Sequence, residues 1–277
     1  LARLGTRESS ALVLARFDGV VHAFVADEDE QSIVEIDHEA KTIVSTTKLG
    51  DRPRDLLVLG DGRLAATLPD AGAIAVFSRD TKAGLTESAR VKTPSEPLAM
   101  AVAAKDETLY VTTGASHSLV AFDAKLTEQR RVSLGREPRA VAVHGDRAYV
   151  THAIESFVSV VTADGAVTTT DIGNSATCAE GSHCTSLRTA RHAQAIVRFG
   201  ANGIVVPAAQ VLPVPSPGFS KSALCPPSRK PLLAFDDLSP LQPRSGGGGY
   251  GFGDSEENGP PVTSDAAVLD AATGKKW

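Results

Sequence analysis

The sequence predicts an all-β fold of repeated four-stranded antiparallel sheets, and three observations carry that prediction. In one stretch, runs rich in Val, Leu and Ala at 98–102, 109–113, 118–122 and 129–134 alternate with turn-forming groups. Four strands within about 40 residues make a sheet the size of one propeller blade. A second observation is a fixed strand–turn–strand length: Tyr110 to Asp123, Tyr149 to Thr162, Phe24 to Asp37 and Ala65 to Ser78 are each 13 residues apart. The third is a proline that opens the first strand of a unit, at Pro53, Pro97 and Pro138, spaced 44 and 41 residues apart. Proline's missing N–H costs nothing at the first residue of a strand but would break a ladder further in.

Taken in order, 10–16 and 20–25 read as two strands joined by the tight turn Asp18-Gly19. The acids Asp27–Glu30 lack the alternating ligand spacing of calcium loops, so a solvated acidic loop is expected there. The second unit comprises 55–59, 63–68, 73–78 and 87–93; the fourth comprises 140–143, 147–151, 157–162 and 166–171. Asp37 and Asp123 stand where a side chain can bond its own backbone two residues on and close a hairpin. Alternation within the strands is incomplete, as expected when a sheet packs between two others and buries both faces. After Gly173 the spacing breaks. An insertion is expected at 174–191, then strands at 193–198, 203–207 and 266–269. Between the last two lies a second insertion, about 208–264, rich in Pro, Gly and Ser. Loops of that length are usually functional or disordered.

The runs Tyr110-Val111-Thr112-Thr113 and Tyr149-Val150-Thr151-His152, with Gly50 to Pro53 and Gly135 to Pro138 as G-x-x-P, resemble the YVTN family of β-propeller repeats. Phe24-Val25-Ala26-Asp27 and Ala65-Ala66-Thr67-Leu68 are looser copies. The resemblance implies a single propeller domain over 1–277, with about five blades of a seven-bladed ring and the last one unfinished. The chain starts without Met and ends at Lys275-Lys276-Trp277, so a piece of a longer protein is expected. Some YVTN-like propellers are joined to di-haem cytochrome c peroxidase-like modules, which would put haem in a domain outside this chain. A related propeller family hydrolyses sugar lactones. The fold itself fixes no activity.

Net charge is −5, from 28 basic and 33 acidic residues, the basic ones spread evenly. No basic stripe suggests a nucleic-acid surface, and no apolar run has the roughly 18 residues of a membrane helix. Cys178 and Cys184, six residues apart, suggest a disulfide-closed loop and an extracytoplasmic, periplasmic or secreted location. The rival reading, a metal pair helped by His183 or His192, lacks a fourth ligand, and no metal site is expected. Cys225 is left over, and with no Cys-x-x-Cys-His no cofactor is expected within the chain. The run Gly246–Gly253 lacks the Lys-Ser/Thr of a phosphate loop and reads as linker, with Tyr250 and Phe252 as contact candidates. His152, where the neighbouring unit has Thr113, reads as a satisfied loop residue.

The first strand of each blade lines the channel, and aligning the units puts Arg54, Leu98, Arg139 and His192 at its mouth. Converging cations there would attract an anionic small molecule or an acidic protein surface; separate solvent-exposed side chains are the bland alternative. No G-x-S-x-G or comparable context marks a nucleophile, and no catalytic residue is assigned. The expectation is a non-catalytic binding scaffold that makes contact through Arg54, Arg139 and His192, the long fifth-blade loop and the cysteine loop. The haem-module partner and the lactonase-like hydrolase stand as alternatives.

Overall fold

A computed structural model describes residues 1–4, 7–178, 184–199, 203–211 and 262–276, and among them every regular element is a strand. The first sheet runs β1 (Ala2–Leu4), β2 (Leu12–Phe17), β3 (Val20–Asp27), β4 (Ser32–Asp37) and β5 (Thr42–Lys48). The second holds β6 (Leu56–Val58), β7 (Leu64–Leu68), β8 (Ala73–Asp80) and β9 (Gly84–Lys92). The third holds β10 (Pro97–Val102), β11 (Leu109–Thr113), β12 (Ser118–Phe122) and β13 (Glu128–Ser133). The fourth holds β14 (Pro138–His144), β15 (Arg147–His152), β16 (Phe157–Thr162) and β17 (Val167–Asp171). The fifth is built from β18 (Asn174–Cys178), β19 (Cys184–Arg191), β20 (Val197–Phe199), β21 (Gly203–Val211) and β22 (Val262–Asp270). All pairings are antiparallel, and in the first four sheets they join strands consecutive in the chain, the meander of a β-propeller blade.

Each sheet packs face to face on the next in chain order, and one apolar cluster fills each interface. Phe24 and Ile33 meet Leu56, Leu64 and Phe77 between sheets one and two. Ile74 and Val76 meet Met100, Leu109 and Val120 between two and three. Ala101 and Leu119 meet Val141, Val143 and Val150 between three and four, and Tyr149 and Val158 meet Ile204, Val206 and Leu269 between four and five. The two-residue period of a strand explains how one strand serves two interfaces. Leu56 and Val58 turn to the first sheet while Leu57 between them turns to the third. Burial on both faces is why the alternation looked incomplete in the sequence.

The hairpins repeat one turn chemistry. Asp37 Oδ1 accepts the N–H groups of Glu39 and Ala40, each at 2.8 Å. Asp80, Asp123 and Asp270 accept the corresponding N–H groups of their own turns. The threonine of the YVT motif has a second function. Thr112 Oγ1 accepts the Ala99 N–H at 3.0 Å, inside its own sheet, and donates to the Arg139 carbonyl of the next sheet at 2.7 Å. Thr67 does the same, accepting from Asp55 N–H and donating to the Leu98 carbonyl, both at 3.0 Å. Both β10 and β14 carry a register irregularity just after the opening proline, which frees the N–H that the hydroxyl takes.

The fifth sheet departs from expectation. Within 174–191, β18 and β19 pair antiparallel, and β19 adds to the sheet by pairing Thr189 with Val211 and Arg191 with Ala209. The second and third strands pair continuously from Gly203↔Asp270 to Val211↔Val262, longer than 203–207 and 266–269. The long insertion is thereby shorter at both ends than 208–264. Residues 212–261, with Cys225, the glycine run, Tyr250 and Phe252, lie outside the described residues, as does His183. The first strand is β20 alone; residues 193–196 run ahead of it without regular pairing.

The N-terminal segment was not foreseen. β1 pairs with β2 on the channel side of the first sheet, and residues 7–10 cross the inner strands of two further sheets. Ser9 N–H donates to the Met100 carbonyl at 2.7 Å, Leu56 N–H to the Ser10 carbonyl at 2.8 Å, and Val102 N–H to the Arg7 carbonyl at 2.9 Å. These inner-strand groups would otherwise face the channel without a protein partner.

A candidate axial binding site

The threonine pattern fixes which inner-strand residues are equivalent. Asp55, Ala99 and Ala140 each give their N–H to a threonine hydroxyl, at 3.0, 3.0 and 3.1 Å. Ala11 holds the same place in the first sheet, its carbonyl accepting from Ala26 as the Asp55 carbonyl accepts from Thr67. In the fifth sheet the place falls to Ala195. The guide there is a left-handed backbone residue just ahead of the strand: Glu96 (φ 62°), Glu137 (φ 52°) and His192 (φ 55°). One layer of the channel thus reads Ala11, Asp55, Ala99, Ala140, Ala195, and the layer outside it reads Ser10, Arg54, Leu98, Arg139, Gln194. All ten residues line a single cavity of about 210 Å³, together with Glu8, Ser9, Val141 and Ile196.

The sequence alignment had put His192 at the Arg139 position. In the structure Gln194 stands there, and exposed His192 matches Glu137 two residues earlier. The opening proline that served as the ruler is replaced by Ala193 in this unit. Arg54, Leu98 and Arg139 do converge on the cavity, yet the rim is not a ring of unmatched cations. Arg139 is held by Glu137 at 2.6 Å and Glu96 at 3.8 Å. A smaller cavity of about 190 Å³ beside it shares Arg54 and Leu98 and adds Glu28, Arg52, Asp70 and Glu96. Arg52 there forms a two-pronged pair with Asp70, at 2.6 and 3.0 Å. Arg54 is exposed and makes no ion pair among the described residues.

Two carboxylates reach the cavity from below this rim. Glu8 Oε1 lies 2.7 Å from Arg198 Nε and ties the N-terminal segment to β20. Asp55 Oδ2 accepts a 2.8 Å hydrogen bond from Ser9 Oγ, which itself accepts the Met100 N–H at 2.7 Å. Burial pushes the Asp55 carboxyl above the ordinary carboxylate range, against the opposing pull of the Ser9 hydrogen bond and the Arg54 charge. Sequence reading passed over Asp55, although it follows Arg54 where Ala99 and Ala140 follow Leu98 and Arg139. Nothing in the sequence pointed to Glu8 or Ser9, because they reach the channel from outside the repeat.

His152 is fully buried, with Nδ1 2.9 Å from the Arg136 carbonyl and Nε2 2.9 Å from Ser159 Oγ. Burial lowers its pKa, the hydrogen bond to Arg136 notwithstanding, so it is a neutral structural residue rather than a rim contact. Cys178 and Cys184 are cross-strand partners in the β18–β19 pair; their side chains lie outside the described residues.

No family model matches the sequence, and no curated protein does. Comparison of folds gives hydrazine synthase of Kuenenia stuttgartiensis, at TM-score 0.59 and 15% identity over 94% of this chain and 62% of that one. A streptogramin B lyase aligns at TM-score 0.53 and 12% identity, over 76% of this chain and 67% of that one. A putative 6-phosphogluconolactonase of Bacteroides fragilis aligns at TM-score 0.54 and 14% identity, over 72% and 65%. This chain therefore spans less than two thirds of the length of the hydrazine synthase chain. Identities this low speak to the fold alone, and together with the five face-packed sheets they make the chain a β-propeller.

Proposed function

We propose that this propeller is a non-catalytic binding scaffold, and that the cavity on its axis is where it holds a small anionic ligand or the acidic tip of a partner. The observation that carries this reading is the convergence of segments from all five sheets on one cavity of about 210 Å³, with Arg54, which makes no ion pair among the described residues, at its rim. Arg139 and Gln194 stand beside it as a partly neutralised cation and a neutral donor. An extracytoplasmic location, and a Cys178–Cys184 disulfide, belong to the same proposal. The register is compatible, since directly opposed strand residues have Cα atoms within disulfide reach.

Calorimetric titration with inorganic phosphate, citrate and 6-phosphogluconate tests the reading. Arg54→Glu is expected to weaken the best of these by about tenfold or more, ~1.4 kcal/mol, while its exposed position keeps Tm nearly unchanged. Equal affinity in the variant would refute it. Arg139→Glu makes a poor probe, because reversing that charge also strands Glu96 and Glu137. A lactonase-like hydrolase is the second reading, favoured by one observation: Asp55, with its raised pKa, is suited to general-base work beside an arginine. Turnover of 6-phosphogluconolactone by the wild type and its loss in Asp55→Asn would establish that reading instead.

A further inference from the structure

The layer of alanines explains why a cavity exists at all. Ala11, Ala99, Ala140 and Ala195 end at Cβ, so the space that longer side chains would fill is left open on the axis. At about 210 Å³ it exceeds several times the ~30 Å³ share of one water, yet falls short of the ~300 Å³ at which drug-sized pockets begin. A small compound suits it, with its hydrocarbon part against the four alanines, Leu98 and Ile196.

The charges left over after pairing describe the rest of that compound. Glu8 is matched by Arg198 from β20, and Arg139 on β14 by Glu137 and Glu96. Arg52 is matched by Asp70, and Glu28 lies in the neighbouring cavity. Among the described residues this leaves, within the axial cavity, Arg54 at the rim and the part-buried Asp55 one layer in, the latter hydrogen-bonded by the neutral Ser9 hydroxyl and drawn on by the Arg54 charge without a direct ion pair. A purely anionic ligand would satisfy Arg54 but bring its charge against Asp55. A purely cationic one would do the reverse. We infer that the ligand is a small zwitterion of the amino-acid type, its ammonium group on Asp55 and its carboxylate on Arg54 and the Gln194 amide. This rests on the axial-site reading above and replaces its purely anionic ligand with one that carries an ammonium group as well as the anionic group. The raised pKa of Asp55 accords with it: desolvation of this part-buried carboxylate outweighs the Ser9 hydrogen bond and the Arg54 charge, and an ammonium group would supply the direct ion pair it lacks among the described residues.

The pH dependence has a definite sign. An ammonium ligand needs Asp55 ionised, so its affinity is full well above the raised pKa and falls as the carboxyl protonates on acidification. Because that pKa is raised, the loss begins at a higher pH than for an ordinary aspartate. A bound acid without an amine shows the opposite trend and gains affinity as Asp55 becomes neutral.

The test is calorimetric titration of the full chain with α- and ω-amino acids of two to six carbons, each beside its amine-only and acid-only counterpart. At least one zwitterion is expected to bind about tenfold or more tighter than both counterparts, and to weaken as pH falls. Asp55→Asn should abolish that preference while sparing the acid, and Arg54→Gln should abolish it while sparing the amine. Tm of both variants separates loss of a contact from loss of fold. If the acids bind as well as the zwitterions and Asp55→Asn leaves or improves their binding, the zwitterion is wrong and the anion site stands. If Ca²⁺ alone binds and Asp55→Asn removes it, the carboxylate is a metal ligand and the inference fails. If no probe binds, the axial site itself fails.

Discussion

At the scale of single residues, the threonine hydroxyl does what the sheet ladder cannot. It closes an N–H inside one blade, in a buried place, and a carbonyl on the next, in a part-buried one. Thr112→Val keeps the shape and removes both bonds. The Ala99 N–H and Arg139 carbonyl are then stranded, at a cost of about 1–3 kcal/mol. Thr151 holds the same place in the fourth sheet, bonding the Ala140 N–H at 3.1 Å with no next-sheet carbonyl among the described residues. Thr151→Val is therefore expected to cost about 1 kcal/mol less, and Thr112→Ser to recover most of the loss. Urea unfolding of the three variants decides it; equal costs at both threonines would show that the bond between sheets contributes nothing.

At the scale of elements, the interface between the first two sheets contains something no pattern announced. Glu35 on β4 is fully buried and takes Arg79 Nε of β8 on both oxygens, at 3.0 and 2.9 Å, with Ser45 Oγ of β5 at 2.9 Å. His22 Nδ1 of β3 lies 2.8 Å from the same carboxylate, and the Arg79 guanidinium sits 4.6 Å over the Phe17 ring. Removing one member of a buried pair leaves the other charge without a partner, so Glu35→Gln is expected to cost about 3–5 kcal/mol. The double change Glu35→Leu with Arg79→Met should cost markedly less, which thermal unfolding would check; a double variant as unstable as the single one would overturn this account. The legibility of the chain follows the same divide. Strand positions in sheets two to four were readable because Pro53, Pro97 and Pro138 and the turn aspartates recur at fixed distances and answer to backbone chemistry. Glu35 and Arg79 were unreadable because a charged residue in a strand looks the same whether it faces water or a neighbouring sheet. In the fifth sheet, Ala193 in place of proline removed the ruler. The alignment slipped two residues, and His192 stood where Gln194 belongs.

At the scale of the whole molecule, the N-terminal segment joins parts that the repeat alone leaves separate. It bonds to the inner strands of the second and third sheets, and Arg3 Nε donates to the Val58 carbonyl at 2.6 Å. Glu107, in the turn between β10 and β11, anchors it through Arg7 at 2.8 Å and Arg3 at 3.4 Å. Gly60 permits this approach, since a Cβ there would lie 2.3 Å from Glu107 Oε2. Glu107→Gln should release the anchor at little cost in global stability, on the order of 1 kcal/mol or less, because the pair is partly exposed. Its local effect is expected to be larger. The amides of Leu56 and Val102, closed by the segment's carbonyls, and of Met100, closed by the Ser9 hydroxyl, should exchange with deuterium several-fold faster, while those of β15 and β16 keep their protection. Glu8, Ser9 and Ser10 form one side of the axial cavity, so the variant should also weaken whatever the cavity binds without touching Arg54 or Asp55. Unchanged exchange at those three amides would mean that the backbone bonds alone hold the segment, and that the cavity owes its shape to the sheets rather than to the strap across them.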